Sequence, residues 1–164
     1  ANEMTIAEYE DNQIMVNTRG GTEISWSRYN PGRRVFISNK KTLSDVDKWC
    51  IDSWKLHDSD TVLKELVCNA SFIKIEYKGR SIGLFCNPQS NDGKRKNLTL
   101  QISSDFNTWH KFAVLTPLNK EVYGYCSMSY INGKLSFVYE DIQYGILYAD
   151  LSYLLCDILL ALYP

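Results

Sequence analysis

Short runs of alternating apolar and polar residues recur along the chain, and turn residues separate them. In Ser71–Lys78, isoleucines and a tyrosine alternate with lysine and glutamate, and Leu98–Ser103 repeats the pattern with leucine and isoleucine. A period of two is that of a β-strand with one buried face. Further strands are predicted over Gln13–Thr18, Arg33–Ser38, Ser81–Cys86 and Lys111–Leu115. The pattern therefore predicts an all-β chain.

The stretch Tyr123–Glu140 is the clearest hairpin of the sequence. Asn132-Gly133 lies at its centre, and both residue types tolerate the positive φ angles of a tight turn. Leu135, Phe137 and Tyr139 then alternate with more polar positions. The pattern predicts two paired strands around this turn.

Two stretches interrupt the strand pattern. Leu56–Leu66 has a weak helical character, and the apolar Leu151–Tyr163 is predicted to be a closing strand or a short helix against the core. No shift of composition marks a second domain, so residues 1–164 are interpreted as one domain. Many short strands joined by hairpins favour a sandwich, a barrel or a propeller.

Two segments share a strand, a turn rich in serine and aspartate, and a tryptophan. One runs from Val35 towards Trp49, and the other from Leu100 to Trp109. The second resembles the Asp-box turn of propeller blades, although it is one residue shorter and has Asn107 where glycine is usual. A repeat of this kind favours a propeller over a sandwich.

Composition excludes several classes of function. The chain has 164 residues and a net charge of −1, so a nucleic-acid partner is not expected. Five cysteines without a Cys-x-x-Cys pair and two histidines make a metal site improbable. The odd number of cysteines mildly favours a reducing compartment, with a secreted or surface location as the alternative. The C-terminal apolar run is too short to span a bilayer.

Five motifs together resemble the C-terminal half of sialidases, which are six-bladed β-propellers with antiparallel four-stranded blades. The resemblance extends from about Thr5 to about Leu154. The motifs are Ala7-Glu8-Tyr9-Glu10 with Ile14–Arg19, Gly32–Ser38, Cys68–Ile73, Asn87-Pro88 with Arg95–Thr99, and Tyr125–Met128 with Tyr139-Glu140. Their order and intervals carry the resemblance more than any one of them.

The resemblance implies a retaining exo-sialidase in which Tyr125 is the nucleophile and Glu8 is its base. A sialic acid carries a carboxylate on its anomeric carbon, which would repel an aspartate or glutamate nucleophile. A neutral phenol avoids this repulsion but needs an adjacent carboxylate to remove its proton. The product of the first step would be a covalent glycosyl-tyrosine.

The resemblance also implies guanidinium groups that bind the substrate carboxylate. Arginine suits this role because its planar fork matches a carboxylate. Arg33 and Arg95 are the expected residues, with Arg34 as the alternative to Arg33. Glu140 would orient a third arginine, and Asn69 would contact the ligand.

Two functional groups of sialidases have no match in the sequence: the first arginine and the aspartate that serves as general acid. We therefore expect an N-terminal half, on another chain or lost, to complete the propeller and the site. The expected partners are that half and a sialylated glycoconjugate, and no cofactor is expected. The alternatives are a non-catalytic propeller fragment that binds carbohydrate or protein, and a trans-sialidase.

Overall fold

A computed structural model describes residues 3–9, 13–18, 32–38, 54–64 and 68–164. These residues form eleven β-strands, a 3-10 turn at Ser152–Leu154 and one short α-helix. The elements are β1 (Met4–Glu8), β2 (Ile14–Thr18), β3 (Gly32–Ser38), β4 (Trp54–Lys64), β5 (Ser71–Tyr77), β6 (Arg80–Pro88), β7 (Leu98–Ser103), β8 (His110–Val114), β9 (Val122–Ile131), β10 (Lys134–Asp141), β11 (Gly145–Asp150) and α1 (Leu155–Leu162). The all-β prediction is confirmed.

The strands form three antiparallel sheets in which each strand pairs with its neighbour along the chain. Sheet one has the order β1-β2-β3-β4, sheet two the order β5-β6-β7-β8, and sheet three the order β9-β10-β11. Such meanders are the blades of a propeller. Sheets one and two have the predicted four strands, whereas sheet three has three strands among the described residues.

The two stretches with helical character have different structures. The prediction for Leu56–Leu66 is wrong, because β4 occupies residues 54–64 and pairs with β3, and this pairing overrides a weak local preference. At the C-terminus α1 buries Leu155 and Ile158, one helical turn apart, so the short-helix option is confirmed. No helix in the described ranges is long and apolar enough to cross a membrane.

The two central strands of the middle sheet, β6 and β7, are buried on both faces. All six residues of β7 are buried, and in β6 Phe85 packs towards sheet one while Leu84 packs towards sheet three. In β9, by contrast, buried and exposed residues alternate from Val122 to Ser129. One face of sheet three therefore contacts sheet two, and its other face contacts no described residue to any comparable extent.

The predicted hairpin between β9 and β10 is confirmed. Ile131 pairs with Lys134, so Asn132 and Gly133 form a two-residue turn. Their φ values are +51° and +80°, the left-handed conformation that such turns require. Since β9 pairs only with β10 among the described residues of sheet three, it is an edge strand of that sheet, and this edge lies beside sheet two.

The turn at residues 103–109, whose sequence resembles an Asp-box, is organised by a side-chain carboxylate. Asp105 Oδ1 accepts hydrogen bonds from the backbone N–H groups of Thr108 at 2.7 Å and Asn107 at 2.9 Å, and Asp105 Oδ2 accepts one from the Thr108 hydroxyl at 3.0 Å. Burial alone would raise the pKa of Asp105, but these hydrogen bonds lower it below its ordinary value of 3.8. Trp109 follows the turn and is buried between sheets one and two.

Replacing Asp105 with alanine is expected to lower the free energy of unfolding by about 1–2 kcal/mol, because four hydrogen bonds to a charged acceptor are lost, including one from the Ser103 hydroxyl at 3.0 Å. Urea denaturation measures this difference. Since folding lowers the pKa of Asp105, its contribution is complete above about pH 4 and is lost as the pH falls through the folded-state pKa. A difference between the two proteins that stayed constant down to pH 2.5 would contradict this role.

Candidate active site

Each of the three sheets contributes one polar side chain to a single place. Tyr125 lies in β9, Glu3 directly precedes β1, and Arg95 lies in the connection between β6 and β7. The Tyr125 hydroxyl donates to Glu3 Oε1 at 3.4 Å, and Arg95 Cζ lies 5.5 Å from the centre of the Tyr125 ring. The phenol therefore has a carboxylate at its hydroxyl and a guanidinium over its ring, in one partly exposed cluster.

The three sheets meet through their first strands, β1, β5 and β9. Phe72 N–H donates to Thr5 Oγ1 at 3.1 Å, and Met128 N–H donates to Ser71 Oγ at 2.8 Å. In each hydrogen bond a backbone N–H group of one sheet finds its acceptor on a side chain of the next sheet. The two bonds therefore hold the three strands beside one another. The beginnings of β1 and β5 consequently lie together, and the beginning of β5 lies beside the second half of β9.

Glu3, and not Glu8, is the carboxylate next to Tyr125. Glu8 is at the far end of β1, and five residues of extended chain span about 16 Å. There Glu8 is exposed and lines a shallow pocket of about 290 Å³ with Ile73 and Lys74. The structure thus brings Glu3, and not the expected Glu8, into contact with Tyr125.

Tyr125 belongs to a bulge in β9. Tyr139 pairs with Cys126 and Asp141 pairs with Val122, so Glu140 alone lies opposite the three residues 123–125. The middle residue of the three, Gly124, has a φ of +94°. Bulges of this kind redirect side chains at sheet edges. Tyr125 keeps 38 % of its surface exposed, so its hydroxyl remains accessible.

The backbone and the side chain of Arg95 are both held by the bulge. Val122 N–H donates to the Arg95 carbonyl at 2.9 Å, and Arg95 Nη1 donates to the Tyr123 carbonyl at 2.9 Å. The side chain is half-buried, unlike those of Asn91–Lys94 before it, which are exposed. Arg95 is thus fixed against Tyr125 and does not extend into solvent.

The other expected site residues have different positions. Asn69 precedes β5, close to the beginning of that strand, and its Oδ1 accepts a hydrogen bond from Ala70 N–H at 2.8 Å. Glu140 is half-buried in β10, across from the bulge. Arg33 lies in β3, where its backbone pairs with Asp60, but the side chains of Arg33 and Arg34 lie outside the described residues.

Solved structures with the same fold are known. A Trypanosoma rangeli sialidase matches with a TM-score of 0.70 and 17 % identity, over 96 % of this chain and 25 % of that chain. The same enzyme in complex with sialic acid matches with a TM-score of 0.70 and 18 % identity, over 96 % of this chain and 24 % of that chain. The fold is sialidase-like.

A third structure is a covalent intermediate of the Trypanosoma rangeli sialidase with 2,3-difluorosialic acid. That structure matches this chain with a TM-score of 0.68 and 18 % identity, over 96 % of this chain and 23 % of that chain. The chain thus spans about a quarter of the length of these sialidase structures. No family model and no curated protein matches the sequence.

Proposed function

We propose that this chain is part of an exo-α-sialidase, which hydrolyses terminal sialic acid from glycoconjugates with retention of configuration. The observation that carries the proposal is the Tyr125 hydroxyl beside Glu3 and Arg95, in a sialidase-like fold. We also propose that the turn at residues 103–109 is the Asp-box of one propeller blade.

In the proposed first step Tyr125 Oη attacks the anomeric carbon while Glu3 accepts the phenolic proton. The bond from that carbon to the leaving oxygen breaks, and a general acid supplied from outside the described residues protonates the leaving group. In the second step water attacks the same carbon and gives one proton to the group that acted as general acid, the bond to Tyr125 breaks, and Glu3 returns its proton to the phenolate. Two displacements at one carbon give net retention.

Arg95 would bind the substrate carboxylate through its planar fork of N–H donors. Its fixed position above the Tyr125 ring supports this role, because the carboxylate is attached to the carbon that Tyr125 attacks. Arg33 would provide a second guanidinium, and Asn69 would contact the ligand from the beginning of β5. Glu140 would orient an arginine that another part of the protein contributes.

A further part of the protein is proposed to complete the site and cover the two outer sheets. Sheet one exposes Ile6 by 58 %, and sheet three exposes Ile146 by 76 % and Tyr148 by 56 %. Apolar side chains at both ends of the three-sheet stack would be buried by further blades. An N-terminal half, in the same protein or on a second chain, would supply these blades, the general acid and the first arginine.

The proposal is tested by incubating the complete protein with 2,3-difluorosialic acid and measuring its intact mass. A covalent adduct that peptide mapping assigns to Tyr125 is the expected result. An adduct on another residue, or a folded and complete protein that forms none, would overturn the proposal. Incubation with a sialylated substrate and an acceptor sugar then separates hydrolysis from transfer by the product formed.

Glu3→Gln and Glu8→Gln form a matched pair of variants, because both replace a glutamate near β1 with its amide. Glu3→Gln is expected to slow hydrolysis by about 10²–10⁴-fold, since a positioned base contributes that much. Glu8→Gln is expected to leave the rate unchanged. Steady-state rates with a fluorogenic sialoside measure both, and the reverse order of effects would restore Glu8 as the base.

The second candidate function is carbohydrate binding without catalysis. A polar pocket of about 330 Å³ favours it, because carboxamides and lysines line it, among them Lys96, the neighbour of Arg95 in sequence. Its lining includes Gln89, Asn97 and Asn119. Binding of sialic acid to a complete protein that neither forms an adduct nor turns over substrate would support this function instead.

A further inference from the structure

We infer that Gly124 is a positioning residue that fixes Arg95 relative to Tyr125; this inference rests on the proposed function. Gly124 is the middle residue of the bulge, between Tyr123 and Tyr125. Its φ of +94° lies in the range that side-chain-bearing residues rarely adopt. The conformation turns the chain so that the Tyr123 carbonyl meets the guanidinium while the Tyr125 ring remains beside it.

Space is a second and independent reason for glycine at this position. A Cβ atom on residue 124 would lie 2.6 Å from Cys68 Sγ, 3.0 Å from Arg95 Cδ and 3.1 Å from Pro88 Cγ. All three distances are below an ordinary van der Waals contact. Cys68 and Pro88 are buried and have little room to move, whereas Arg95 is half-buried and long. A methyl group here would have to displace Cys68 Sγ, the nearest atom, and also Arg95 Cδ, and of the two side chains Arg95 has more room to move.

Displacing the Arg95 side chain would affect its contacts with Tyr123 and Tyr125. Cδ carries the guanidinium, so its movement would lengthen the 2.9 Å hydrogen bond from Nη1 to the Tyr123 carbonyl. It would also change the position of the guanidinium over the Tyr125 ring. Because the Tyr123 carbonyl belongs to the peptide bond that joins Tyr123 to Gly124, one backbone unit sets the relative position of the cation and the phenol.

Gly124→Ala and Gly133→Ala make a matched comparison. Gly133 has a φ of +80°, close to that of Gly124, but no atom lies within 4 Å of its Cβ position. Both substitutions strain the backbone, and only Gly124→Ala adds a steric clash. In the complete protein, we expect Gly124→Ala to weaken binding of sialic acid at least tenfold, and Gly133→Ala to change it less than twofold. Equal losses in the two variants would overturn the inference.

A double-mutant cycle shows whether Gly124 acts through Arg95. In an Arg95→Ala background the side chain at 3.0 Å is gone, so Gly124→Ala should cause no further loss of sialic-acid affinity. Additive losses would mean that the glycine serves only the stability of the bulge. If Gly124→Ala fails to fold, Cys68→Gly is added, because it removes the nearest atom and leaves the clash with Arg95.

A measurement without ligand separates this inference from the proposed function. The ring current of Tyr125 shifts the side-chain resonances of Arg95, so NMR of the wild-type protein reports on their contact. We expect Gly124→Ala to move the Arg95 Hδ resonances towards random-coil values and Gly133→Ala to leave them in place. Unchanged Arg95 resonances in Gly124→Ala would overturn the inference even if the protein is a sialidase, whereas shifted resonances support it even if sialic acid does not bind.

Discussion

Replacing Tyr125 with phenylalanine is expected to abolish the covalent adduct with 2,3-difluorosialic acid and to lower turnover by more than about 10³-fold. The variant lacks the oxygen that would attack the anomeric carbon, and nucleophile removal has effects of this size or larger. Binding of sialic acid should change by less than about tenfold, because only one hydrogen bond, at 3.4 Å, is lost. Intact-mass spectrometry and single-turnover kinetics measure the two effects separately.

Tyr144→Phe is the matched control for this variant. The Tyr144 ring also lies under a cation, with Lys120 Nζ at 4.8 Å from its centre, and it is exposed in the turn between β10 and β11. Removing its hydroxyl should leave both the adduct and the turnover unchanged. Retention of the adduct in Tyr125→Phe would exclude Tyr125 as the nucleophile, whatever its contact with Glu3.

Local patterns predicted most of the strands because each strand pairs with its neighbour along the chain. The alternation in Ser71–Lys78 and the Asn132-Gly133 turn are both set within a few residues, and β5 and the β9–β10 hairpin confirm them. β4 was missed because its pairing with β3 depends on residues further away.

The partner of Tyr125 could not be predicted in the same way. Glu3 and Tyr125 are 122 positions apart, and the contact depends on how β1, β5 and β9 lie relative to one another. Periodicity within one strand carries no information about that position. A signal for the bulge was present, because a glycine within a strand pattern often marks a bulge, and Gly124 directly precedes the nucleophile proposed here.

Arg95→Lys is expected to weaken binding of sialic acid by about 1.5–3 kcal/mol, the usual value of a hydrogen bond to a charged group. Lysine keeps the charge but presents a single ammonium where arginine offers a planar fork, so the carboxylate loses its paired hydrogen bonds. Arg95 also holds the Tyr123 carbonyl, and lysine would reach that atom with poorer geometry. Isothermal titration with sialic acid measures the loss.

Two controls separate direct contact from general electrostatics. Lys94→Ala removes a charge one residue away, from an exposed side chain paired with Glu121, and should change the affinity for sialic acid only slightly. The methyl ester of sialic acid has no carboxylate charge, so Arg95→Lys should weaken its binding far less than that of the free acid. If both ligands lost affinity equally, Arg95 would support the bulge without contacting the carboxylate. A loss confined to the free acid would instead support a direct contact, because only the charged ligand needs the guanidinium fork.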